Sequence, residues 1–407
     1  MFKIYNINSL LIKIFEALLY VCSPFSNKIE KGIIGRKNSF KKLNLCFKKG
    51  DKIIHIHCAS HGEYLLAKKL IHNLKEKFKN HRFLLSFISP SGYENVKNAL
   101  FDCIIYLPLA TNKNCIKFYN LIKPTATFFI KNEVWPNYIK HAKINGSKVY
   151  SIGGNFRTSF LKKLLKINSG IKQFDSIYTL NDKSKKVIES IGNKNTIVCG
   201  DLRFDADIPK LSRKASDNIK KFLDNKTCLV FGSTWREDED IILRYIKSSN
   251  RKIKYIIAPH EISNNPKRIK KFLGNKSILY SDIKLKTNLQ EFSCLIIDNI
   301  GMLSSLYNYS SISYVGGGMG KKGLHNTLEP AYFSKPIIIG KNYQKFEEAN
   351  EMIKNGNMIS ISNYNEFYNA IESIIDNENL LVKMSKKCTE YFDKKKGAVK
   401  IILNDLK

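Results

Sequence analysis

The stretch Ser313-Tyr-Val-Gly-Gly-Gly-Met-Gly-Lys-Lys-Gly-Leu-His-Asn-Thr-Leu-Glu-Pro-Ala331 joins an apolar β-type run, 311–315, to a glycine-dense turn and a helical pattern that opens near His325. Glycines let a backbone come close to a ligand, and a helix N-terminus offers unpaired N–H groups to a phosphate. Asn326 and Glu329 share one face of the expected first turn, where they could hold hydroxyls beside that phosphate. The stretch therefore predicts a nucleotide or nucleotide-sugar site.

Two common phosphate-binding motifs do not fit this stretch. Gly318-Met-Gly-Lys-Lys-Gly323 matches G-x-G-x-x-G, but the next apolar run, 336–339, ends in Gly340-Lys341 and lacks the acid that would hold a ribose. Leu324 stands where a P-loop has its phosphate-binding lysine. A tight strand-to-helix turn without a ligand is the alternative, and the density of glycines makes it the weaker one.

Apolar β-type runs alternate with helical stretches along most of the chain. The intervening segments are long enough for crossover helices, which predicts an α/β protein with two Rossmann-like doubly wound parallel-sheet domains and a ligand cleft between strand C-terminal ends. The predicted strands are 53–56, 83–88, 104–107, 126–130, 148–152, 176–180, 196–199, 228–231, 254–257, 277–280, 294–297, 311–315, 336–339 and 358–361. The predicted parts are an anchor or interfacial helix with a basic segment (1–50), the first domain (51–207), a linker (208–225), the second domain (226–390) and a C-terminal helix that could pack back on the first domain (391–407).

Charge is the extreme feature of the composition. The 407 residues carry a formal net charge of +33, which is compatible with a nucleic-acid partner, an anionic membrane surface or compositional drift. The lysines lie along the whole chain, without a basic arm or a patch rich in aromatic residues. We therefore favour compositional drift together with a surface that faces an anionic membrane, and we expect no nucleic-acid partner. The nine cysteines are scattered without a C-x-x-C pair, which argues for a reducing compartment and against a zinc site or disulfide framework.

The N-terminal residues 10–21 are apolar apart from Lys13 and Glu16. This run is short for a membrane span, and no small-residue cleavage site follows it. We interpret it as an interfacial or weakly inserted anchor, because the lysines between 28 and 52 would favour anionic lipid on the cytoplasmic side. An ordinary buried first helix is the open alternative.

Polar residues follow several of the predicted strands. Glu63 comes just after the first strand, where a carboxylate could take a proton from an attacking hydroxyl. Glu133 repeats this placement after the fourth strand, and Arg203 puts a cation near the end of the first domain. Gly301-Met302-Leu303 leads from a strand into a predicted helix, a second N–H terminus for a phosphate. Each placement alone is also explained by capping or helix-dipole effects.

Three histidines lie close together in sequence at the first strand. His55 and His57 alternate onto one face, and His61 follows four residues later. A metal site is conceivable, but no suitable carboxylate or cysteine cluster accompanies them. We therefore interpret them as structural and expect no metal.

The ordered set of strand-end motifs resembles the 3-deoxy-D-manno-octulosonic acid (Kdo) transferases of lipopolysaccharide assembly, which are glycosyltransferases of the two-domain GT-B architecture. The motifs are His57-Cys-Ala-Ser-His-Gly-Glu63, Lys131-Asn-Glu-Val-Trp-Pro136, Gly200-Asp-Leu-Arg-Phe-Asp205, Gly232-Ser-Thr-Trp235, Ala258-Pro-His-Glu261, Asp298-Asn-Ile-Gly-Met-Leu303 and Gly316-Gly-Gly followed by His325-Asn-Thr-Leu-Glu329. They occur in the family's order along nearly the whole chain.

The resemblance implies a metal-independent enzyme without a cofactor, which moves Kdo from CMP-Kdo to the lipid A precursor at the cytoplasmic face of the bacterial inner membrane. Glu63 matches the family's general base, and Glu133 and Arg203 match its transition-state stabilisers. Ser60 and Gly62 would lie on the acceptor side. The residues that match CMP-binding positions are Pro259, His260, Gly301, Met302, Leu303, Gly317, Gly318, His325, Asn326, Thr327, Leu328 and Glu329.

The chain departs from the family pattern at three of these motifs. His61 replaces a small or apolar residue, Arg203 stands where many members have lysine, and His260 stands where many have arginine. Another GT-B nucleotide-sugar transferase or an epimerase is the alternative within the same fold. A basic nucleic-acid-binding protein is the alternative outside it, and neither explains the motif set.

Overall fold

The computed structural model describes residues 26–96, 100–157 and 170–406. The chain forms two compact units: the first runs to Ala206 and includes the C-terminal segment from Lys396, and the second is Asp207–Lys395. Each unit contains one seven-stranded sheet in which every neighbouring pair of strands is parallel. The observed strands match the predicted ones within a few residues, and the predicted pair of doubly wound parallel-sheet domains is confirmed.

The first sheet has the strand order β3-β2-β1-β4-β5-β6-β7. The elements of this unit, in chain order, are α1 (Asn27–Cys46), β1 (Ile53–Cys58), α2 (His61–Lys77), β2 (Arg82–Phe87), α3 (Pro90–Asn95), β3 (Cys103–Tyr106), α4 (Asn112–Ile122), β4 (Ala126–Ile130), α5 (Pro136–Ile144), β5 (Lys148–Gly154), β6 (Ser176–Thr179), α6 (Asp182–Glu189), β7 (Thr196–Val198) and the 3-10 helices Ile171–Gln173 and Leu202–Phe204.

Alternate side chains of these strands enter two separate cores, one on each face of the sheet. Ile53 packs in the core that helices α4 and α5 cover, whereas the next residue, Ile54, packs in the core that α2 covers. All residues of β1 are buried. A parallel strand buried on both faces is apolar almost throughout, which explains why the strands could be found as apolar runs.

The second sheet has the strand order β10-β11-β9-β8-β12-β13-β14. The elements are α7 (Arg213–Leu223), β8 (Cys228–Thr234), α8 (Arg236–Ser248), β9 (Lys254–Pro259), α9 (Asn265–Leu273), β10 (Ser277–Leu279), β11 (Cys294–Ile296), α10 (Leu303–Leu306), β12 (Ile312–Val315), α11 (Leu328–Tyr332), β13 (Ile337–Gly340), α12 (Glu347–Asn355), β14 (Met358–Ile361), α13 (Tyr364–Ile375) and α14 (Glu378–Lys395), with 3-10 helices at Gly274–Lys276, Tyr280–Asp282, Leu289–Glu291 and Tyr307–Tyr309; the last helix, α15 (Ala398–Asp405), belongs to the first unit.

Two predicted parts of the chain differ from the structure. Residues 208–225, predicted as a linker, contain helix α7, whose Ala215, Ile219 and Phe222 are buried while its lysines face outward. The polar composition concealed this amphipathic pattern. The predicted boundary at 391 falls inside α14, and the helical C-terminus is interrupted instead at Gly397, where φ is +115°.

The predicted N-terminal anchor, residues 10–21, lies outside the described residues. Within the part of the chain that the structure describes, no helix is both long enough and apolar enough to cross a membrane.

The C-terminal segment is held to the first unit by Asp205. Its two carboxylate oxygens accept the backbone N–H groups of Gly397 and Val399, both at 2.8 Å, so that the carboxylate caps α15. Tyr178 donates its hydroxyl to Asp405 at 2.6 Å near the other end of the helix. A carboxylate at a helix N-terminus also interacts favourably with the helix dipole.

We expect Asp205→Ala to lower the free energy of unfolding by about 1–2 kcal/mol, because two backbone donors lose their acceptor and α15 loses its cap. Urea unfolding and the rate of proteolysis next to Gly397 measure this effect. Asp217→Ala is the matched control, since it removes an exposed aspartate from α7. Equal behaviour of the two variants would show that Asp205 does not anchor the helix.

Candidate active site

Loops that leave neighbouring strands in opposite directions diverge, and a crevice opens at the carboxyl ends of those strands. The sheets have such a switch point between β1 and β4 in the first unit and between β8 and β12 in the second. Glu63 and Glu133 follow β1 and β4, and the glycine-rich turn follows β12. These residues therefore lie at the switch points, whereas Arg203 follows the edge strand β7 and residues 301–303 follow β11.

Glu63 lies in the first turn of α2, immediately after β1. The side chain is 8% exposed, and its Oε2 accepts the backbone N–H of Ala59 at 2.5 Å. A backbone donor stabilises the ionised form of a carboxylate, which is the form that can accept a proton. Ser60, the N-cap residue, is half-buried and Gly62 is exposed beside it.

Glu133 lies in the loop after β4 and is 1% exposed. Its Oε2 accepts the indole N–H of Trp135 at 2.8 Å and lies 3.9 Å from Nε2 of His57. Burial raises the pKa of the Cys58 thiol well above its usual range, and the charges of Glu63 and then Glu133 raise it further. Glu63 accepts the N–H of Ala59 and Glu133 faces His57, so both predicted acids lie at the carboxyl end of β1.

Arg203 lies in the 3-10 helix that packs against α2 and α15. Its Nε and Nη2 atoms donate to Oδ2 of Asp201 at 2.8 and 2.6 Å, and its backbone N–H donates to Oδ1. The sequence predicted the cation but not this partner. Asp201 therefore fixes the direction of the guanidinium and balances part of its charge.

The three predicted structural histidines do not converge on one point. His55 and His57 are buried in β1, where Nε2 of the first and Nδ1 of the second lie 2.8 and 2.9 Å from the hydroxyl of Ser86. His61 instead lies at the start of α2, with its ring 6.0 Å from that of Tyr64. In the described ranges no group of three or more histidine, cysteine, aspartate or glutamate side chains is placed to hold a metal.

The glycines of the turn after β12 serve packing within the chain. At Gly316 an added Cβ would meet Ser233 O, at Gly317 it would meet Gly323 O, and at Gly318 it would lie 2.9 Å from Gly340 N. Gly317 also has a φ of +89°. We expected these glycines to let the backbone approach a ligand; the space next to them is occupied by other parts of the same turn and by the neighbouring strands.

Asp238, which the sequence analysis missed, holds this turn in place. Its Oδ2 accepts the backbone N–H groups of Gly317 at 2.8 Å and Trp235 at 2.9 Å, and its Oδ1 accepts the hydroxyl of Tyr314 at 2.7 Å. The carboxylate is fully buried, and this burial raises its pKa in spite of the donors around it. An acid three residues into a helix that follows a strand is the local signal that could have indicated it.

Trp235, His260 and His325 form an aromatic stack beside the turn. The ring of His260 lies 4.5 Å from each of the other two rings, and the indole N–H of Trp235 donates to Nε2 of His325 at 2.8 Å. An indole can only donate, so neutral His325 carries its proton on Nδ1. Burial, and then the neighbouring His260, lower the pKa of His325, which keeps it neutral near pH 7.

The helix after the turn begins later than predicted. His325 still belongs to the turn, because its backbone N–H donates to Gly316 O at 3.1 Å, and α11 begins at Leu328. Asn326 therefore precedes the helix: its Oδ1 accepts the N–H of Leu328, and its amide donates to Glu329 Oε1, both at 3.2 Å. Burial raises the pKa of Glu329. The hydroxyl of Thr327 is buried without a hydrogen-bond partner among the described residues.

The remaining predicted residues surround the end of β8. An added Cβ at Gly232 would lie 2.7 Å from Cδ1 of Leu303 and would meet the hydroxyl of Tyr307. The expected helix at Leu303 is a single turn, α10, preceded by the buried Met302 and by Gly301, which has a φ of +95°. Pro259 ends β9, which pairs with β8, so its neighbour His260 is placed beside the same strand.

We expect the stability of the second unit to fall as the pH drops below the ordinary histidine value of about 6.5. The folded state lowers the pKa of His325, so below that pH the unfolded chain binds more protons than the folded chain. Protonation of His325 at Nε2 also removes the acceptor of the Trp235 indole N–H. Urea unfolding between about pH 7.5 and 5.5 should show a smaller loss of stability in His325→Gln. His72→Gln, which removes an exposed imidazole from the first unit, should retain the wild-type slope, and the prediction is wrong if all three proteins show one slope.

Comparisons with known proteins identify relatives that are similar along most of the chain. Residues 34–206 match the family model of 3-deoxy-D-manno-octulosonic-acid transferase (kdotransferase). The chain is 29% identical over 374 residues to a bifunctional glycosyltransferase/methyltransferase of Fusobacterium nucleatum. The aligned part covers 88% of this chain but only 57% of that longer protein. It is 28% identical over 353 residues to the 3-deoxy-D-manno-octulosonic acid transferase of Rickettsia typhi, which covers 84% of this chain and 75% of the relative.

Solved structures agree on the fold. The UDP-GlcNAc 2-epimerase of Neisseria meningitidis, bound to UDP-GlcNAc, superimposes with a TM-score of 0.63 at 15% identity, over 87% of this chain and 98% of that chain. At this identity the likeness concerns the architecture alone, and it confirms the GT-B fold class predicted from the sequence. The match over 34–206 and the similarity along most of the chain show that this protein is similar to the 3-deoxy-D-manno-octulosonic acid transferases.

Proposed function

We propose that this protein is an inverting glycosyltransferase that moves Kdo from CMP-Kdo to the lipid A precursor in lipopolysaccharide biosynthesis. The relatives named Kdo transferases support the sugar and the type of reaction. The observation that carries the mechanism is the pair of buried carboxylates, Glu63 and Glu133, at the switch point of the first sheet. Two acids in one crevice suit a reaction that needs a base and a stabilised positive centre.

Glu63 is the proposed general base. An acceptor hydroxyl transfers its proton to the Glu63 carboxylate while its oxygen forms a bond to the anomeric carbon of Kdo. The bond from that carbon to the CMP phosphate oxygen breaks, and CMP leaves with the electron pair. The Ala59 N–H supports this role because it favours the ionised carboxylate before the reaction begins.

Glu133 and Arg203 are the proposed stabilisers of the transition state. The anomeric carbon becomes positively charged as the phosphate departs, and a nearby buried carboxylate such as Glu133 lowers the energy of that charge. Arg203 would meet the negative charge of the departing phosphate. The pairing of Arg203 with Asp201 supports a fixed direction for this guanidinium, which reduces the cost of ordering it during the reaction.

The second unit is the proposed binding site for CMP-Kdo. Neutral His325 presents an Nδ1–H donor, His260 is exposed next to it in the aromatic stack, and the amine of Lys322 lies 4.9 Å from the Trp235 ring centre. Donors and cations of this kind suit a monophosphate, so we propose that neither a metal nor a cofactor is needed. The buried hydroxyl of Thr327 and the Asn326–Glu329 pair would hold hydroxyls of the nucleotide.

The lipid acceptor implies action at an anionic membrane surface, which we propose is the cytoplasmic face of the inner membrane. Helix α1 supports this with an exposed stripe in which Ile34 (53% exposed) and Leu45 (78% exposed) alternate with Lys31, Lys41 and the following Lys48. Apolar side chains beside lysines suit the boundary between lipid headgroups and acyl chains.

The assay that tests the proposed activity is product mass analysis after incubation with CMP-Kdo and lipid A precursor, in the presence of a metal chelator. We expect transfer of Kdo by the wild-type protein and a loss of turnover by about 10²- to 10⁴-fold in Glu63→Gln, because the amide cannot accept the proton. Binding of CMP should be retained in that variant. Glu76→Gln, an exposed glutamate of the same helix, is the matched control.

Full turnover in Glu63→Gln would remove Glu63 from the mechanism but leave the activity standing. Absence of Kdo transfer by the wild-type protein, together with tighter binding of UDP than of CMP, would instead favour another nucleotide-sugar transferase or an epimerase. Dependence on an added divalent metal would contradict the metal-free mechanism.

Binding to the membrane surface is tested separately with lipid vesicles. We expect the wild-type protein to sediment with vesicles that contain anionic lipid, and to do so less with purely zwitterionic vesicles or at high salt. Replacement of Ile34 and Leu45 by serine should weaken this binding, whereas serine at the fully exposed Leu285 of the second unit should not. Equal sedimentation of both variants would contradict the assignment of α1.

A further inference from the structure

We propose that His57 is a positioning residue for Glu133, and that Ser86 and His55 fix which nitrogen of His57 carries the proton. The inference rests on the proposed function, in which Glu133 stabilises the transition state. It assigns a role to three buried polar side chains that the reaction does not otherwise use.

The three side chains form one hydrogen-bonded chain on a single face of the first sheet. In the parallel pairing of β1 with β2, His57 lies opposite Ser86, and His55 is two residues earlier on the same face. The Ser86 hydroxyl lies 2.8 Å from Nε2 of His55 and 2.9 Å from Nδ1 of His57. All three residues are 0% exposed, so each hydrogen bond replaces a bond to water that is no longer available.

The number of available protons decides which groups of this hydrogen-bonded chain donate and which accept. Ser86 has one hydroxyl proton, so it donates to one imidazole and accepts from the other. Nε2 of His57 lies 3.9 Å from the Glu133 carboxylate, which favours a proton on that nitrogen. Nδ1 of His57 is then the acceptor of the Ser86 hydroxyl, and the Ser86 oxygen in turn accepts the Nε2–H of His55.

The opposite direction leaves a costlier arrangement. It would turn the lone pair of His57 Nε2 towards the Glu133 carboxylate and place a proton on Nδ1 of His55. Either direction places one buried N–H beyond hydrogen-bond distance, at Nδ1 of His55 or at Nε2 of His57, and only the N–H of His57 faces a carboxylate. Burial also lowers the pKa of His55 well below its usual range, so His55 is neutral and provides only one N–H.

The consequence is a defined second contact on the reactive carboxylate. Oε2 of Glu133 accepts the indole N–H of Trp135 at 2.8 Å and faces the Nε2–H of His57 at 3.9 Å. Functional hydrogen bonds are often long before substrate binds and shorten in the complex. The indole N–H bonded to this oxygen and the imidazole N–H that faces it aim the carboxylate, which a positive reacting centre requires.

The first experiment observes the protons directly in the full-length wild-type protein without substrate. Long-range ¹H–¹⁵N spectra of a sample with labelled histidine distinguish the two neutral tautomers and the imidazolium, and the chain has only eight histidines to assign. We expect the Nε2–H tautomer for both His55 and His57 at neutral pH. An Nδ1–H tautomer or an imidazolium at His57 would overturn the inference, whatever the activity of the enzyme.

The second experiment compares two amides of similar polarity at one position. The amide of glutamine reaches the position of Nε2 and that of asparagine reaches the position of Nδ1, so only His57→Gln keeps an N–H towards Glu133. We expect kcat to fall on the order of 10- to 100-fold further in His57→Asn than in His57→Gln, with the KM for the donor changed little in both. Equal losses in the two variants would reduce His57 to a packing residue.

Two serine variants test the hydrogen-bonded chain of His55, Ser86 and His57, which we call the β1 relay, without changing His57. Ser86→Ala should lower kcat and allow the Nδ1–H tautomer of His57 to appear in the spectra. Ser147→Ala is the matched control, because Ser147 is also buried and bonded, to Thr127 at 3.2 Å, and it should leave the His57 spectrum unchanged. A His57 signal unaffected by Ser86→Ala would contradict the relay.

Failure of the wild-type protein to transfer Kdo would count against the proposed function. The observed tautomers of His55 and His57 would still decide whether the relay exists.

Discussion

Parallel pairing of the strands is the constraint on which both units depend. A parallel strand must return through a crossover, so every strand of a sheet ends at the same edge, and a crevice opens where neighbouring crossovers diverge. Residues distant in sequence are brought together as a result: Glu63 and Glu133 follow neighbouring strands of one sheet, and Trp235 and His325 follow neighbouring strands of the other. The proposed chemistry uses these two edges for that reason.

The two crevices are stabilised in different ways. In the first, carboxylates accept N–H groups from the backbone at Ala59 and from the indole of Trp135. In the second, a fully buried carboxylate, Asp238, organises the backbone of the glycine-rich turn, and imidazoles stack beside that turn. A carboxylate that takes part in the reaction needs a fixed direction, whereas a phosphate site needs donors, and each arrangement fits its proposed task.

Much of the fold could be predicted because it depends on burial, and burial is visible as apolar runs at strand length. The positions of Glu63 and Glu133 could be predicted for a related reason: each lies directly after such a run, so its place at the sheet edge follows from local sequence. Asp238 and Ser86 could not be found in this way, because their partners, Gly317 and His57, lie far away in sequence. The helix predicted at His325 failed for the same reason, since the distant carbonyl of Gly316 holds that residue in the turn. Local patterns indicate elements and their ends, while contacts across the sheet decide which polar groups cooperate.

The net charge of +33 plays little part in the buried chemistry, and this bears on what the charge does. The acids of the first crevice accept N–H groups of the backbone and of Trp135, and the proposed β1 relay would lose its direction if an added charge protonated its histidines. Most of the lysines lie instead on exposed surfaces, including the outer face of α7 and the stripe on α1. There they act through the long-range potential, which attracts anionic surfaces and phosphate-bearing substrates but is screened by salt over roughly 8–10 Å. The chain therefore separates two tasks. Long-range attraction of anionic partners is diffuse and tolerates a compositional gain of lysines. The proposed catalysis depends instead on a few protons held at defined nitrogens and oxygens.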